Sequence, residues 1–432
     1  MKTNQDVSKC FRSVNFRRFA PRAIAFSFGF FFALQAGINP VLAEERGYSS
    51  DQENVPIIYN TSQEGLSGQF YDNGGLFTTR EERLQVKPME WSEAPSPELD
   101  STYGNASEES FKPDMPVGPA GSSAGGKANP QGAKDAEYEF IDAWEGIKEI
   151  DRQKEEAGRS EGNAEVFGGG YDSTTTLDAS NVESNGTLIE DSNFDGVHGV
   201  FARYPGNQNT LMWQYPPWNK VGKLYFTTPS GGSSYCTANL VSGKSIITTA
   251  AHCVYTRGQG FNGNFRFVPA ERYGFAPYGS FGWSSATVPP KWLSDGGRRW
   301  DLGLIKLSNN SSGKPATHYV GWLGLSWNMD YTQLLHSIGY ASNLSAQVTN
   351  ICVAQSFFSA LEGSDVLVKG CDMTYGSSGG GWIKDYAPYS HGQNYVDAVV
   401  SGPHANAFGT TYVGPRFSSS NLVLLCGFFG GC

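Results

Sequence analysis

Residues 248–254 read Thr-Thr-Ala-Ala-His-Cys-Val and directly follow Ser245-Ile246-Ile247, a short run with the composition of a strand. Because β-branched residues favour strands, His252 is predicted to stand at the end of one. The neighbouring Cys253 could form a disulfide that holds this histidine in one place. A lone histidine is more often structural than functional, so companions elsewhere in the chain must decide its role.

Two further runs carry polar residues that suit such a histidine. Trp300-Asp301-Leu302-Gly303-Leu304-Ile305-Lys306-Leu307 sets a carboxylate at the mouth of an apolar strand. A buried carboxylate is costly unless it is paired, and an imidazole N–H is a suitable partner. Gly376-Ser377-Ser378-Gly379-Gly380 places a serine in a glycine-flanked loop, where the backbone can turn so that N–H groups face inward beside the hydroxyl.

Taken in the chain order His252, Asp301, Ser378, these runs resemble the trypsin-like serine peptidase superfamily over residues 200–432. Cys371-Asp372, which leads into the serine loop, is most similar to the secreted bacterial members of the glutamyl-endopeptidase-like branch. The resemblance implies an all-β fold of two packed antiparallel β-barrels, with the active site in the cleft between them. It also implies that the histidine and the aspartate come from the first barrel and the serine from the second.

The resemblance assigns a role to each of these residues. Ser378 would be the nucleophile, His252 the general base and Asp301 the group that orients the imidazole. The backbone N–H groups of Gly376 and Ser378 would bind the oxyanion of an acyl-transfer reaction. Ser377 stands where activated pancreatic-type members carry an aspartate that pairs with a new amino terminus, so that switch cannot operate here in the same form.

Three residues are candidates for the substrate pocket: Asp372, Ser401 and Gly402. Asp372 stands where trypsin itself has the acid that selects Lys and Arg, although in bacterial members with Cys-Asp at this point the acid need not face the pocket. A glutamate-specific enzyme would want a histidine just before Ser401, and Val400 is there instead. The cleavage preference therefore stays open. Ser401-Gly402-Pro403 is expected to be the strand against which a substrate pairs its backbone.

The whole of residues 196–432 has the composition of a β-rich domain. Short apolar or aromatic runs recur between Gly, Ser, Pro and Asn clusters, without a long helical period or a βαβ rhythm. This segment holds 15 basic and 9 acidic residues, so it is mildly basic although the whole chain has a net charge of −10. With 39% hydrophobic and 17% charged residues, the chain is not a wholly disordered protein, a coiled coil or a polytopic membrane protein.

Residues 1–43 are predicted to be a signal peptide. Six basic residues precede an uncharged apolar run over 23–38, and Val41-Leu42-Ala43 resembles a signal-peptidase site. The alternative is an uncleaved membrane anchor, but the run is shorter than the ~20 residues that a spanning helix needs. We therefore expect a secreted or periplasmic product that meets the membrane only transiently, during export.

Residues 44–195 hold 11 basic and 32 acidic residues and are predicted to be a largely disordered acidic pro-segment or linker. The Gly/Ser-rich stretch 117–132 is the clearest flexible linker. One amphipathic helix is predicted near 137–157, because four apolar side chains recur there at helical spacing: Phe140, Trp144, Ile147 and Ile150. Its apolar stripe would dock onto the basic domain; the alternatives are a solvated helix and a permanent spacer.

Seven cysteines are present, and removal of Cys10 with the signal peptide would leave six, an even number that suits an oxidising compartment. Six cysteines allow fifteen pairings, of which proximity in sequence favours Cys236–Cys253, Cys352–Cys371 and Cys426–Cys432. Metal binding is the competing interpretation, but the sequence has no Cys-x-x-Cys pair and no His/Cys cluster at zinc spacing. We expect disulfides, no metal and no cofactor.

Together these features predict a secreted serine endopeptidase that is made as a pro-enzyme and hydrolyses peptide bonds through an acyl-enzyme. Its partners would be a protein or peptide substrate and its own acidic pro-segment, with no nucleic acid. Two alternatives stay open. One is an inactive protease-like binding module, and the other is a surface protein with a permanent acidic spacer.

Overall fold

The computed structural model describes residues 56–60, 76–91, 121–123, 125–127, 145–153, 201–205, 212–359, 361–404 and 411–432. The predicted signal peptide, residues 1–43, lies outside them, as do Phe140 and Trp144 of the predicted helix. Within these described ranges, no helix is both long and apolar enough to cross a membrane.

The first barrel is built from residues 221–307. Its six strands are β1 (Val221–Thr227), β2 (Ser233–Ser242), β3 (Ile246–Thr249), β4 (Gly263–Pro269), β5 (Trp283–Val288) and β6 (Gly303–Leu307). Neighbouring strands pair antiparallel in the order β4-β1-β2-β3-β6-β5. Paired backbone hydrogen bonds between Phe267 in β4 and Phe281, just before β5, close the sheet on itself.

Side chains at every second position of the strands fill the centre of this barrel. In β2, Cys236, Ala238 and Leu240 are fully buried in one apolar cluster, together with Leu224 and Phe226 of β1. Residues two apart on a strand point to the same face of the sheet. The period of two in the sequence therefore becomes an apolar core once the sheet curls.

The second barrel follows the same plan over residues 334–415. The strands of this half are β7 (Gly324–Trp327), β8 (Leu334–Gly339), β9 (Asn350–Phe357), β10 (Val366–Gly370), β11 (Gly381–Lys384), β12 (Tyr395–Val399) and β13 (Thr411–Pro415). Neighbours pair antiparallel in the order β13-β10-β9-β8-β11-β12. Gly402–Pro403, just after β12, pair with β13 and close the sheet, while β7 adds to β12 in parallel.

An apolar cluster joins the two barrels. Leu302 and Leu304 of the first barrel and Ile338 and Ile383 of the second belong to it, and all four are fully buried. Leu425, near the carboxyl terminus, is buried in the same cluster. Because this cluster draws on both sheets, the barrels pack as one body, and residues at their junction hold constant positions.

Helices are short in the described parts of the chain. The α-helices are Arg80–Gln85, Pro290–Ser294, Ala316–Val320 and Leu424–Phe428, and residues 145–153 are also helical. Single turns of other types are Met212–Gln214, Trp218–Lys220, Ala251–Cys253, Arg298–Trp300 and Ser419–Val423. Minor strands are Ala202–Pro205, which pairs with β9, and the hairpin of Tyr255–Thr256 with Gly260–Phe261. The predicted all-β fold of two packed antiparallel barrels is confirmed.

The structure pairs the cysteines as proximity in sequence favoured. Cys236–Cys253 joins β2 to the segment after β3, and Cys352–Cys371 joins β9 to the residue after β10. Cys426–Cys432 closes the carboxyl-terminal end of the chain. Each barrel therefore carries one covalent link between a strand and a segment that follows another strand.

Parts of the acidic segment 44–195 extend the edges of both sheets. Ile57–Asn60 pairs antiparallel with β5, Lys87–Pro88 pairs parallel with β2, and Gly121–Ser123 pairs antiparallel with β7. The last strand lies within 117–132, where we predicted a flexible linker, and for these residues that prediction is wrong. Edge pairing uses backbone groups that every residue except proline offers in full, so composition alone does not exclude it.

The helix at 145–153 lies within the stretch where an amphipathic helix was predicted, and it packs against the first barrel. Ile147 is 1% exposed and belongs to the core cluster of that barrel. Asp151 is buried, forms an ion pair with Arg272 and accepts a hydrogen bond from the hydroxyl of Tyr273 at 3.1 Å. The helix is thus held by an apolar contact and by a buried charge pair.

Candidate active site

His252 lies just beyond the end of β3. That strand ends at Thr249, and Ala251–Cys253 form a single 3-10 turn that carries the imidazole. The disulfide Cys236–Cys253 fastens this turn to β2, and the Cys253 carbonyl accepts a hydrogen bond from Asn262 Nδ2 at 2.9 Å. His252 is 1% exposed, so packing and these two ties hold its ring in one place.

Asp301 reaches His252 because β6 pairs with β3. The register sets Gly303 opposite Thr249. Asp301 and His252 lie just beyond these paired residues, so they meet although 49 positions separate them. Asp301 Oδ2 lies 2.8 Å from His252 Nδ1, and Asp301 Oδ1 accepts the backbone N–H of His252 at 2.9 Å. One carboxylate therefore binds both the ring and the main chain of the same residue.

Asp301 stays ionised although it is fully buried. Burial by itself would raise its pKa, but His252, the hydroxyl of Ser401 and the charge of Arg298 outweigh it and hold the pKa of this carboxyl below its ordinary value. Ser401 Oγ donates to Asp301 Oδ2, and Arg298 Nη1 donates to Ser401 Oγ at 3.1 Å. Burial lowers the pKa of Arg298 in turn. A buried chain of donors thus runs from the guanidinium to the carboxylate.

Sequence reasoning missed Arg298 and predicted a different setting for Ser401. The hydroxyl of Ser401, a candidate for the substrate pocket, is bound to Asp301 and Arg298. Arg298 lies three residues before Asp301, and this closeness was a usable signal. No local pattern, however, distinguishes Arg298, which is 9% exposed, from its neighbour Arg299, which is less buried.

Both barrels hold the loop that carries Ser378. Gly376 and Gly379 have φ values of +84° and +80°, a conformation that residues with a side chain rarely adopt. From β2, Thr237 donates its N–H to the Ser378 carbonyl and its hydroxyl to the Gly376 carbonyl, each at 2.8 Å. From the second barrel, the Val400 carbonyl accepts the N–H of Gly379 at 2.8 Å. The loop is therefore anchored on two flanks.

The serine loop lies against the strand end that carries His252. A Cβ on Gly379 would come within 2.1 Å of Thr249 Oγ1 and 2.9 Å of Ala250 N, so only glycine fits. Ser378 Oγ and His252 Nε2 are both buried, and neither has a hydrogen-bond partner within the described part of the chain. Buried polar atoms without partners are uncommon, and such atoms often mark a place that acts on a ligand.

Asp372, the third candidate for the substrate pocket, already has a partner. Its carboxylate lies 3.3 Å from Arg203 Nε, and its carbonyl accepts a hydrogen bond from Asn343 Nδ2 at 2.8 Å. Gly402 lies instead against Arg298, since a Cβ there would come within 2.6 Å of Nη1. The structure therefore brings Ser401 and Gly402 together beside the buried guanidinium, and pairs Asp372 with a residue that precedes the first barrel.

Two groups of described residues have the donor types of a metal site, but their sulfurs are already bonded. These groups are Cys236, His252 and Cys253, and Cys352, Cys371 and Asp372. All four cysteines form disulfides, and a thiolate is the form of cysteine that binds metal. Neither group can therefore supply thiolate ligands in this state.

Solved structures that resemble this chain include three proteases. A thermostable serine protease AL20 from an extremophilic microorganism is 25% identical, with a TM-score of 0.43 over 47% of this chain and 93% of that one. Protease Anisep from Arthrobacter nicotinovorans is 27% identical, with a TM-score of 0.42 over 48% and 93%. A Glu endopeptidase is 18% identical, with a TM-score of 0.40 over 53% and 94%. Comparison with protein-family models and with curated proteins finds no match.

Proposed function

We propose that this protein is a serine endopeptidase that hydrolyses peptide bonds through an acyl-enzyme. The observation that carries the proposal is the pairing of His252 Nδ1 with Asp301 at 2.8 Å, next to the loop that carries the buried hydroxyl of Ser378. A histidine whose Nδ1–H is bound by a carboxylate presents Nε2 as a base. Because each TM-score is below 0.5, support comes from these contacts and not from the similar structures.

In the first step, His252 Nε2 takes the proton of Ser378 as Oγ attacks the carbonyl carbon of the substrate. Asp301 stabilises the imidazolium that forms. The N–H groups of Gly376 and Ser378 receive the oxyanion, a stabilisation of roughly 3–4 kcal/mol per donor in comparable sites. The imidazolium then protonates the leaving amine, and water releases the acyl group by the same route.

Substrate residues before the scissile bond would pair their backbone with Ser401-Gly402-Pro403, which continues β12 past the serine loop. The contact of Val400 with Gly379, which sets that strand beside the loop, supports this position. The ion pair between Asp372 and Arg203 argues against selection of Lys or Arg by this acid, because its charge is already matched.

The protein would be exported and made as a pro-enzyme, with residues 44–195 as the pro-segment. Three disulfides suit an oxidising compartment. Opposite charge excesses in residues 44–195 and 196–432 favour their association. The burial of Ile147 and the Asp151–Arg272 pair support the same proposal. Intact-mass measurement of the exported product tests it, since an active product that keeps residues 44–195 would be a spacer-bearing protein instead.

A second candidate is an inactive protease-like binding module. The observation that favours it is the unpaired state of Ser378 Oγ and His252 Nε2 among the described residues, since a peptidase ready for reaction would join these atoms. A pro-enzyme whose site is completed on activation or on substrate binding accounts for the same geometry, so reactivity must distinguish the two.

Reaction of the exported protein with an organofluorophosphate distinguishes these functions. A serine peptidase should gain one adduct, located at Ser378 by peptide mapping, and should hydrolyse a peptide library. Ser378→Ala should abolish both, while Ser230→Ala, a change in an exposed turn, should abolish neither. A binding module would gain no adduct. Labelling that persists in Ser378→Ala would show that another residue is the nucleophile.

A further inference from the structure

An edge of β2 is covered by the chain's own residues 87–91, here called the strap. Lys87–Pro88 pairs parallel with the start of β2, and the N–H of Met89 donates to the Tyr235 carbonyl at 2.9 Å. A strand edge with free backbone groups is a place where an extended peptide adds as a further strand. The strap therefore uses backbone groups that a peptide ligand would otherwise use.

The covered edge adjoins the serine loop. Two residues beyond Tyr235 on the same strand, the N–H of Thr237 donates to the Ser378 carbonyl at 2.8 Å. Two residues along a strand span about 7 Å, which is the reach of one dipeptide. A Cβ on Gly376 would also come within 2.6 Å of the Tyr235 ring. The strap and the candidate nucleophile thus share one strand edge.

The far end of the strap contacts the serine loop directly. The ring of Trp91 packs edge-on against Tyr375, the residue before Gly376, with ring centroids 5.3 Å apart. The indole Nε1 of Trp91 is buried and has no hydrogen-bond partner within the described residues. Packing of the two rings is therefore what holds this end of the strap.

This flank of the loop is the one that would receive the leaving group. In the proposed mechanism His252 protonates the leaving amine, which must therefore depart past the imidazole. The disulfide Cys236–Cys253 joins the residue after Tyr235 to the residue after His252, and so ties the covered edge to the imidazole. Substrate residues before the scissile bond would pair their backbone with residues 401–403. The edge of β2 under the strap is then the one available to residues after the scissile bond.

A short helix tethers the strap to the first barrel. The helix Arg80–Gln85 begins with a capping box, and its residue Arg83 is 5% exposed. Arg83 donates to the Gly274 carbonyl from Nε at 3.1 Å and from Nη2 at 2.9 Å. It also lies 3.8 Å from Glu271, a buried carboxylate that Lys223 contacts at 3.0 Å. These buried polar contacts define one register for the segment that enters the strap.

We infer that the strap is an internal inhibitor of the leaving-group side of the cleft. This inference rests on the proposed peptidase function. While the strap is docked, a peptide that extends past the scissile bond has to displace Met89 and Trp91 before it binds. A ligand that ends at the scissile carbonyl does not. The strap therefore excludes long substrates but does not itself hinder the reaction of Ser378 with small acylating or phosphorylating reagents.

Binding to the full chain carrying Ser378→Ala tests the strap without turnover. The probes are a peptide of roughly eight residues that the active chain cleaves, and its amino-terminal half, which ends at the scissile carboxylate. Met89→Pro removes the N–H that binds Tyr235, and Trp91→Ala removes the ring that packs on Tyr375. Each change should tighten binding of the whole peptide about fivefold, as expected for one lost backbone hydrogen bond in Met89→Pro and one lost aromatic pair in Trp91→Ala. The half peptide should bind as before.

Tyr59→Ala is the matched control. Tyr59 is another aromatic residue of the acidic segment, but its ring stacks on Phe261 at 4.8 Å and its strand covers the edge of β5. This change should alter neither affinity. Unchanged affinity of the whole peptide in Met89→Pro and Trp91→Ala would overturn the inhibitory role of the strap, and so would an equal gain for the half peptide.

Organofluorophosphate labelling of the chain with Ser378 intact reports separately on the proposed function. Normal labelling with unchanged peptide affinities would overturn the strap alone. If neither the full chain nor the exported product takes up label or cleaves a peptide, the peptidase function fails, and the role of the strap fails with it. Normal labelling in every variant, together with a gain only for the whole peptide in the two strap variants, is the expected result.

Discussion

The two halves of the candidate site are held in different ways. In the first barrel, Asp301 accepts hydrogen bonds from the main chain and ring of His252 and from Ser401. In the second, the backbone around Ser378 is bound on both flanks, but its hydroxyl has no partner among the described residues. These hydrogen bonds orient His252, the proposed base, and leave unbonded the hydroxyl of Ser378, the proposed nucleophile.

The reactive atoms should show the largest effect. Ser378→Ala is expected to lower kcat/KM for peptides by about 10⁶-fold, because the nucleophile is lost while the fold is kept. His252→Ala should cost a similar factor, and the double variant should lose no more than either single one, since the two residues act as a unit. Steady-state kinetics measure this, with Ser230→Ala as the control. Losses that multiply in the double variant would show that the two halves work independently.

The second largest effect on catalysis is expected at Asp301, which binds His252. Asp301→Asn keeps the size of the side chain but can hold the imidazole in the wrong tautomer, so kcat should fall by about 10⁴-fold. Circular dichroism should show an unchanged fold. Asp295→Asn, the same change at an exposed position six residues earlier, is the control and should be active. If Asp301→Asn keeps wild-type kcat, the aspartate does not orient the base.

A second buried aspartate offers the opposite case. Asp397 is fully buried, and burial raises its pKa to about 6, although hydrogen bonds from Ser326 and Gln333 oppose the shift. The folded protein therefore keeps a proton that the unfolded chain releases near pH 4. The contribution of protonated Asp397 to the free energy of unfolding is therefore complete below about pH 4. It should fall as the pH rises to 6, by up to about 3 kcal/mol.

Urea unfolding between pH 4 and pH 7 checks this expectation. Asp397→Asn should remove that part of the pH dependence, because the amide does not ionise. Asp295→Asn should keep it. Parallel stability curves for the wild type and Asp397→Asn would mean that Asp397 ionises alike in the folded and unfolded chains. Asp301, whose pKa is lowered, should act in the other direction, with its contribution lost as the pH falls.

The smallest of these effects is expected at Ser401. Ser401→Ala removes a donor to the Asp301 carboxylate, so kcat should fall roughly tenfold, the range for one hydrogen bond to a charged group. The carboxylate is then less stabilised, so the pKa of Asp301 rises and acid unfolding should begin at a higher pH. Ser401→Thr keeps a hydroxyl and should restore both. An unmoved acid-unfolding midpoint and an unchanged kcat in Ser401→Ala would limit Ser401 to packing.

Several features were predictable because they depend on neighbours in the chain. The strand before His252 and the strand after Asp301 followed from runs of β-branched and aliphatic residues, and the disulfides followed from proximity of cysteines. The strands at Ile57–Asn60 and Gly121–Ser123 were not predicted. Their pairing depends on open edges in sheets that form hundreds of residues away, and the backbone groups involved leave no mark on side-chain pattern.

By itself, the amino-acid sequence determined the fold class and the candidates His252, Asp301 and Ser378, because each lies in a run whose local constraints can be read. Only the tertiary structure decided their partners. Ser401 donates a hydrogen bond to Asp301, 100 positions away, and Arg203 forms an ion pair with Asp372. The strap pairs with β2. Such contacts depend on the register and closure of two barrels. No local pattern encodes them, because hydrogen bonds between distant segments exist only after both sheets have closed.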